Sequence, residues 1–138
     1  IRSIALSQAF RDPEHLFWET AEAHGAQTVR RLLDMDIDPS IVLNVNFPPC
    51  APDDVKGIEV TRQGKRDQAL LNIDARFDGR GNPYYWIGFE RRRQNPAAGA
   101  DLRAVIDGAI SVTPLMLNLT DNSAHSTLKE RLAIGQDI

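Results

Sequence analysis

IVLNVNFPP, residues 41–49, decides the fold class. Ile41, Leu43, Val45 and Phe47 alternate with Val42, Asn44 and Asn46, which is the two-residue period of a β-strand. One face is wholly apolar. The other turns polar toward the carboxyl end of the run, where two asparagines stand close together. A strand of this kind needs cover on its apolar face, and the flanking sequence supplies it.

Upstream, SIALS (residues 3–7) reads as a short apolar strand. FRDPEH then sets up a helix. Asp12 can cap free backbone N–H groups, Pro13 suits the first helical position, and Glu14 suits the positive end of the helix dipole. The spacing predicts a helix over residues 14–35, with Ala21, Val29, Leu32 and Leu33 as its apolar stripe and Gly25 as a weak point. DMDIDPS ends it, because Pro39 disfavours helical backbone at Asp38. Strand, helix, strand is a βαβ unit, and such units build parallel sheets. In open α/β sheets, ligands bind beyond the carboxyl ends of the strands, and Asn44 and Asn46 sit at that end. Two readings stay open for them: amides that pin nearby loop backbone, or groups that face a ligand.

Downstream, PPCAPDD is a proline-rich connector, and KGIEVTRQGK is a further strand with Ile58 and Val60 on one face. Residues 66–94 change character. Two extended runs, QALLNIDARF and PYYWIGFERR, flank DGRGNP, whose Asp-Gly and Gly-Asn-Pro steps signal a turn. This predicts a long β-hairpin with Tyr85, Ile87 and Phe89 on one face and Tyr84, Trp86 and Gly88 on the other. A two-stranded ribbon is seldom stable alone. Aromatic side chains on both faces need cover on both, from another element or from another subunit reached through Tyr84, Tyr85, Trp86 and Phe89. QNPAAGA follows as a loop, residues 101–107 as a short helix stopped by Gly108, and AISVTPLMLNLT as a strand interrupted at Pro114. A last helix, residues 123–133, carries Leu128 and Leu132 on one side. The expected organisation is an α/β part (1–64), an extended hairpin (65–95), and a returning helix, strand and tail (96–138).

The totals narrow the function classes. The 138 residues are 42% apolar and 25% charged, an ordinary globular balance, and suit one domain or a large part of one. A net charge of −3 argues against a general binder of nucleic acid or anionic membrane. Cys50 is the single cysteine, so no internal disulfide forms, and a cytoplasmic setting is expected. No apolar run approaches the roughly 18 residues that span a bilayer, and no signal peptide is visible. The chain opens at Ile1 almost inside a strand, which reads as a sequence with more upstream.

Candidate chemistry is sparse. His15, His24 and His125 lack paired metal-ligand spacing. Cys50 has no base beside it in sequence. Asp53 and Asp54 could bind a hard cation, but they lie in a connector before a strand and read as a solvated turn. Arg62, Lys65 and Arg66, with Arg91, Arg92 and Arg93, form two basic clusters, readable as a phosphate or polyanion site or as a charged base to the hairpin. No P-loop or glycine-rich dinucleotide motif is present.

SIALS, ETAEAHGA, LNVNFP, KGIEVTRQGKRD, DGRGNPYYWIGFE, ADLRAVIDGAISVTPL and LNLT, in this order, resemble the SurE family of stationary-phase survival proteins and 5′-nucleotidases. LNVNFP, VTRQG, PYYWIG and ISVTPL together make the resemblance specific, and it covers nearly the whole chain. It implies a Rossmann-like α/β domain with a β-rich addition. It also implies a metal-dependent phosphatase of nucleoside 5′-monophosphates that assembles as a dimer or tetramer with exchanged C-terminal elements. The family holds Mg²⁺ or Mn²⁺ with adjacent aspartates of an NDDG motif after its first strand, joined by a serine and an asparagine from later loops. None of these stands in this chain, which begins at what resembles the family's PAIAVS strand. The resemblance therefore carries no catalytic residue and no metal ligand onto these residues. It implies the C-terminal half of a nucleotidase, inactive by itself, with Asn44, Asn46 and Asp101 as supporting residues behind the site. Ala100 stands where the family often has threonine. The alternative from another class is a non-catalytic oligomerisation module.

Overall fold

The computed structural model describes residues 1–65, 71–89 and 95–132. The chain runs β1 (Ser3–Gln8), α1 (Trp18–Leu33), β2 (Ile41–Phe47), a 3-10 turn (Pro52–Asp54) and β3 (Ile58–Val60). It continues with β4 (Leu71–Phe77), β5 (Pro83–Phe89), α2 (Asp101–Asp107), β6 (Ile110–Met116) and α3 (Asn122–Leu132). β1, β2, β6 and β3 form one sheet in that order, and β4 and β5 form a separate ribbon. β1 pairs parallel with β2, as a βαβ unit demands, and β3 pairs parallel with β6. β6 runs antiparallel to β2, so the sheet is mixed and mainly parallel.

The alternation read in β2 is the organising feature of the sheet. Leu43, Val45 and Phe47 are buried, and they form the core with Leu32, Ile110 and Val112. Ile4, Ala21, Ile37, Ile41 and Val55 pack around that cluster. Burying such side chains is the main favourable contribution to folding.

α1 starts four residues later than the sequence predicts. Asp12 spends its carboxylate on the Glu14 N–H (3.0 Å), and its carbonyl accepts from the His15 N–H (3.2 Å). The Asp-Pro signal thus closes a separate tight turn, and the helix begins beyond it with no side-chain cap at Phe17. The buried face also differs. Thr20, Gly25, Thr28 and Leu32 are covered, whereas Leu33 is exposed. Gly25 faces Phe47 on the buried side, and a Cβ there would stand 3.8 Å from the end of the ring, an ordinary contact distance. The helix ends at Leu33, two residues short of the predicted bound and ahead of the stretch that Pro39 restricts, and Asp38 accepts from the Ser40 N–H (2.8 Å) to turn the chain into β2.

Pro114 does not interrupt β6. The Ile110 N–H donates to the Gly57 carbonyl and the Thr61 N–H to the Val112 carbonyl, both 2.9 Å, so the even-numbered backbone groups of β6 face β3. β3 pairs only as far as Val112. The missing N–H of Pro114 therefore points where the ladder has already ended, and the proline costs no hydrogen bond. Met116 and Leu117 beyond it are exposed. Ile58 and Val60 share one face of β3, as read, yet both are exposed because β3 is a short edge strand. α2 matches its predicted bounds, and Gly108 closes it with φ 94°, a left-handed backbone that glycine adopts readily.

Candidate functional site

Asn44 and Asn46 project from one face of the sheet, opposite the core. Asn44 lies between Ala5 and Thr113, and Asn46 between Ser7 and Ser111. Both are partly buried. Beside them lies a buried hydroxyl cluster that the sequence reading missed. Thr61 Oγ1 lies 2.8 Å from Ser111 Oγ and 2.7 Å from Thr113 Oγ1. All three are within hydrogen-bonding reach around one point and almost fully covered. The signal was present in ISVT: with Ile110 and Val112 committed to the core, Ser111 and Thr113 had to share the other face with the asparagines.

The loops at the carboxyl ends of β1 and β2 are pinned by other side chains. Gln8 Nε2 donates to the carbonyls of Pro48 (2.9 Å) and Ala9 (3.1 Å), tying the two loops together. Gln8 Oε1 is buried without a partner among the described residues. From α1, the Thr20 hydroxyl donates to the Cys50 carbonyl, and His24 Nε2 lies 3.0 Å from the Pro52 carbonyl. Gln8, Thr20 and His24 thus pin the loops next to the asparagines.

Asp101 stands elsewhere. Its Oδ1 accepts from the Gly64 N–H at 2.8 Å and from the Leu102 N–H at 2.7 Å. It serves the loop after β3 and shares no hydrogen bond with either asparagine. Burial, helped by the charge of Asp54, pushes the Cys50 thiol above its ordinary value, which disfavours a thiolate nucleophile. Asp53 and Asp54 are exposed in the 3-10 turn, in line with a solvated turn. Among the described residues, no group of three or more His, Cys, Asp or Glu side chains could hold a metal ion, so these residues do not fit a divalent cation.

The hairpin carries a second candidate surface. Register places Ile73 opposite Ile87, Ala75 opposite Tyr85 and Phe77 opposite Pro83, an apolar face from end to end. Ile73, Phe77, Tyr85 and Ile87 are 59%, 72%, 71% and 63% exposed, so none of the described residues covers it. The other face differs. Asp74 pairs with Arg76 at 3.0 Å, and the Arg76 guanidinium stands 5.7 Å from the centre of the Trp86 ring. Tyr84 and Trp86 belong to this polar face and Tyr85 to the apolar one. The Phe89 side chain, residues 66–70 and the Arg91, Arg92 and Arg93 cluster lie outside the described residues.

A mixed, mainly parallel α/β sheet with a β-ribbon inserted between β3 and α2 defines the class. Residues 1–69 match the family model described as "Survival protein SurE". The chain belongs to the SurE family. It is 54% identical over 134 residues to a protein of Methylobacterium sp. (strain 4-46) named 5′-nucleotidase SurE, covering 96% of this chain and 53% of that protein. A Methylobacterium radiotolerans protein of the same name is 55% identical over 135 residues, again covering 96% and 53%. The crystal structure of the SurE protein from Aquifex aeolicus superposes with a TM-score of 0.74 at 35% identity, covering 96% of this chain and 52% of that one. The chain spans about half the length of the curated relatives it matches.

Proposed function

We propose that this chain is the C-terminal half of a SurE-type 5′-nucleotidase, a phosphatase that releases phosphate from nucleoside 5′-monophosphates with a divalent cation, Mg²⁺ or Mn²⁺, in the cytoplasm. The observation that carries the reading is the match of residues 1–69 to the survival-protein family, together with relatives of that name at 54% identity. On this reading the cation-binding groups belong to the other half of the whole-length protein. The chain's own part is support. Asn44 and Asn46 stand at the carboxyl end of β2 and back the loops beside the catalytic crevice, and Asp101 supports through the loop after β3. The division into 1–64, 65–95 and 96–138 is one of roles, since β6 returns into the sheet between β2 and β3.

The test is phosphate release from nucleoside monophosphates by the whole-length protein with Mn²⁺ or Mg²⁺, beside the 138-residue chain alone. Turnover by the whole protein and none by the chain is expected. Metal-dependent turnover by the purified chain would overturn the division of labour and bring Asp53, Asp54 and Asp101 back as ligands. A whole-length protein inactive on every nucleoside monophosphate would overturn the activity. A second reading, an oligomerisation module, is favoured by the uncovered apolar face of the hairpin. We place it inside the first: the hairpin is the arm through which the enzyme forms a homodimer or homotetramer.

A further inference from the structure

The hairpin is an insertion, and its root is closed by a set of bonds around Asp101. The Arg62 N–H donates to the Gly99 carbonyl, and the Asp101 N–H donates back to the Arg62 carbonyl, both at 2.9 Å. The Gly64 N–H then donates to Asp101 Oδ1 at 2.8 Å. One residue therefore holds the entering leg with both its backbone and its side chain. On the leaving leg, Arg103 donates to Asn95 Oδ1 at 3.2 Å while its Nε holds Asp107 at 2.6 Å. Gly99 adopts φ 76°, the left-handed backbone that lets the leaving leg bend into this contact.

Gly64 completes the arrangement. A Cβ at this position would stand 2.8 Å from Asp101 Oδ1 and 3.4 Å from the Ala100 methyl. A side chain there would push the carboxylate off the amide it accepts from. Short separation across the root also matters energetically. Bringing Gly64 and Asp101 together closes a loop of tens of residues, and that closure is unfavourable unless bonds at the root offset it.

We propose that Asp101 and Gly64 form a latch that closes the root of the hairpin insertion, so that the α/β sheet and the arm are held as two separately closed units. Asp101 is then a positioning residue for the arm. This rests on the reading of the hairpin as an arm, but the latch itself is read at the Gly64 amide.

Hydrogen exchange of single amides in the full chain tests it. Asp101→Ala removes the acceptor, Asp101→Asn keeps a side-chain oxygen in its place, and Gly64→Ala displaces the carboxylate. Loss of one bond predicts exchange at residue 64 about tenfold faster in Asp101→Ala and in Gly64→Ala. Asp101→Asn should stay near the wild-type rate, and the Val45 and Val112 amides of the sheet should not move in any of the three. An unchanged Gly64 amide in Asp101→Ala would overturn the latch. So would Asp101→Asn behaving like Asp101→Ala, or an acceleration that appears equally at Val105 in α2, which would make Asp101 only a helix-end residue. The Gly64→Ala and Asp101→Asn arms keep the test decisive if Asp101→Ala does not fold. The arm reading fails separately, if disrupting the apolar face leaves the size of the particle unchanged.

Discussion

At the scale of single residues, the core and the hydroxyl cluster make opposite demands. Phe47 is buried at the end of β2 against α1, so Phe47→Ala should lower stability by about 3–5 kcal/mol in urea unfolding. Gly25 faces that ring from α1 with ordinary contact distance for a methyl group. Gly25→Ala should therefore raise stability by about 0.5–1 kcal/mol, since alanine favours helix and the space exists. A loss of stability there would mean that the helix cannot retreat from Phe47. Thr61 joins Ser111 and Thr113 in a covered cluster, and Thr61→Val keeps the shape while leaving those two hydroxyls only their long 3.5 Å contact with each other. A loss of about 1–3 kcal/mol is expected in the same measurement, larger than a surface threonine would give.

At the scale of elements, the hairpin depends on its turn. Asp78 accepts from the N–H groups of Arg80 and Asn82, each at 2.8 Å, and from the Asn82 side-chain amide at 3.0 Å. The Asn82 amide, with the backbone donors of Asn82 and Arg80, holds the Asp78 carboxyl below its ordinary value of 3.8. The folded value being the lower one, the turn is at full strength above the ordinary value and weakens as pH falls below it. Amide shifts of Gly81 and Asn82 in an acid titration should report this loss, and Asp78→Ala should abolish the pH dependence. The two faces of the ribbon also separate. Trp86 lies beneath Arg76 on the polar face, whereas Ile87 is in the uncovered apolar row. Ile87→Asp should shift the protein toward smaller species in light scattering at micromolar concentration, more than Trp86→Ala does. Equal sizes for wild type and Ile87→Asp would leave the arm without a partner.

At the scale of the whole molecule, the sheet and the two termini of the insertion form one body, and the tail adds little to it. No residue of α3 is buried, and Leu128 and Leu132 are exposed. A chain ended after Met116 should therefore keep the unfolding midpoint of the sheet, as read by circular dichroism. A fall of many degrees would show that α3 covers part of the body. Leu117, Leu119, Leu128 and Leu132 are all exposed.

Local chemistry was enough for much of this. Alternation in IVLNVNF separated core from polar face, Gly108 stopped α2, and Asp78 to Pro83 made the turn of the hairpin, because each depends on neighbours within a few positions. The family was legible too, through motifs spread along the chain. Tertiary structure alone decided the rest. The Asp12 cap went to a turn, since its own backbone closed that turn before a helix could form. Pro114 stayed within β6, because the side of the strand its nitrogen faces is an edge beyond the end of β3. Asp101 met Gly64 and Thr61 met Ser111 and Thr113 across separations that no local pattern encodes. Such pairings follow from which strands lie side by side, and that is fixed by the burial of Val45, Phe47, Ile110 and Val112 together in one core.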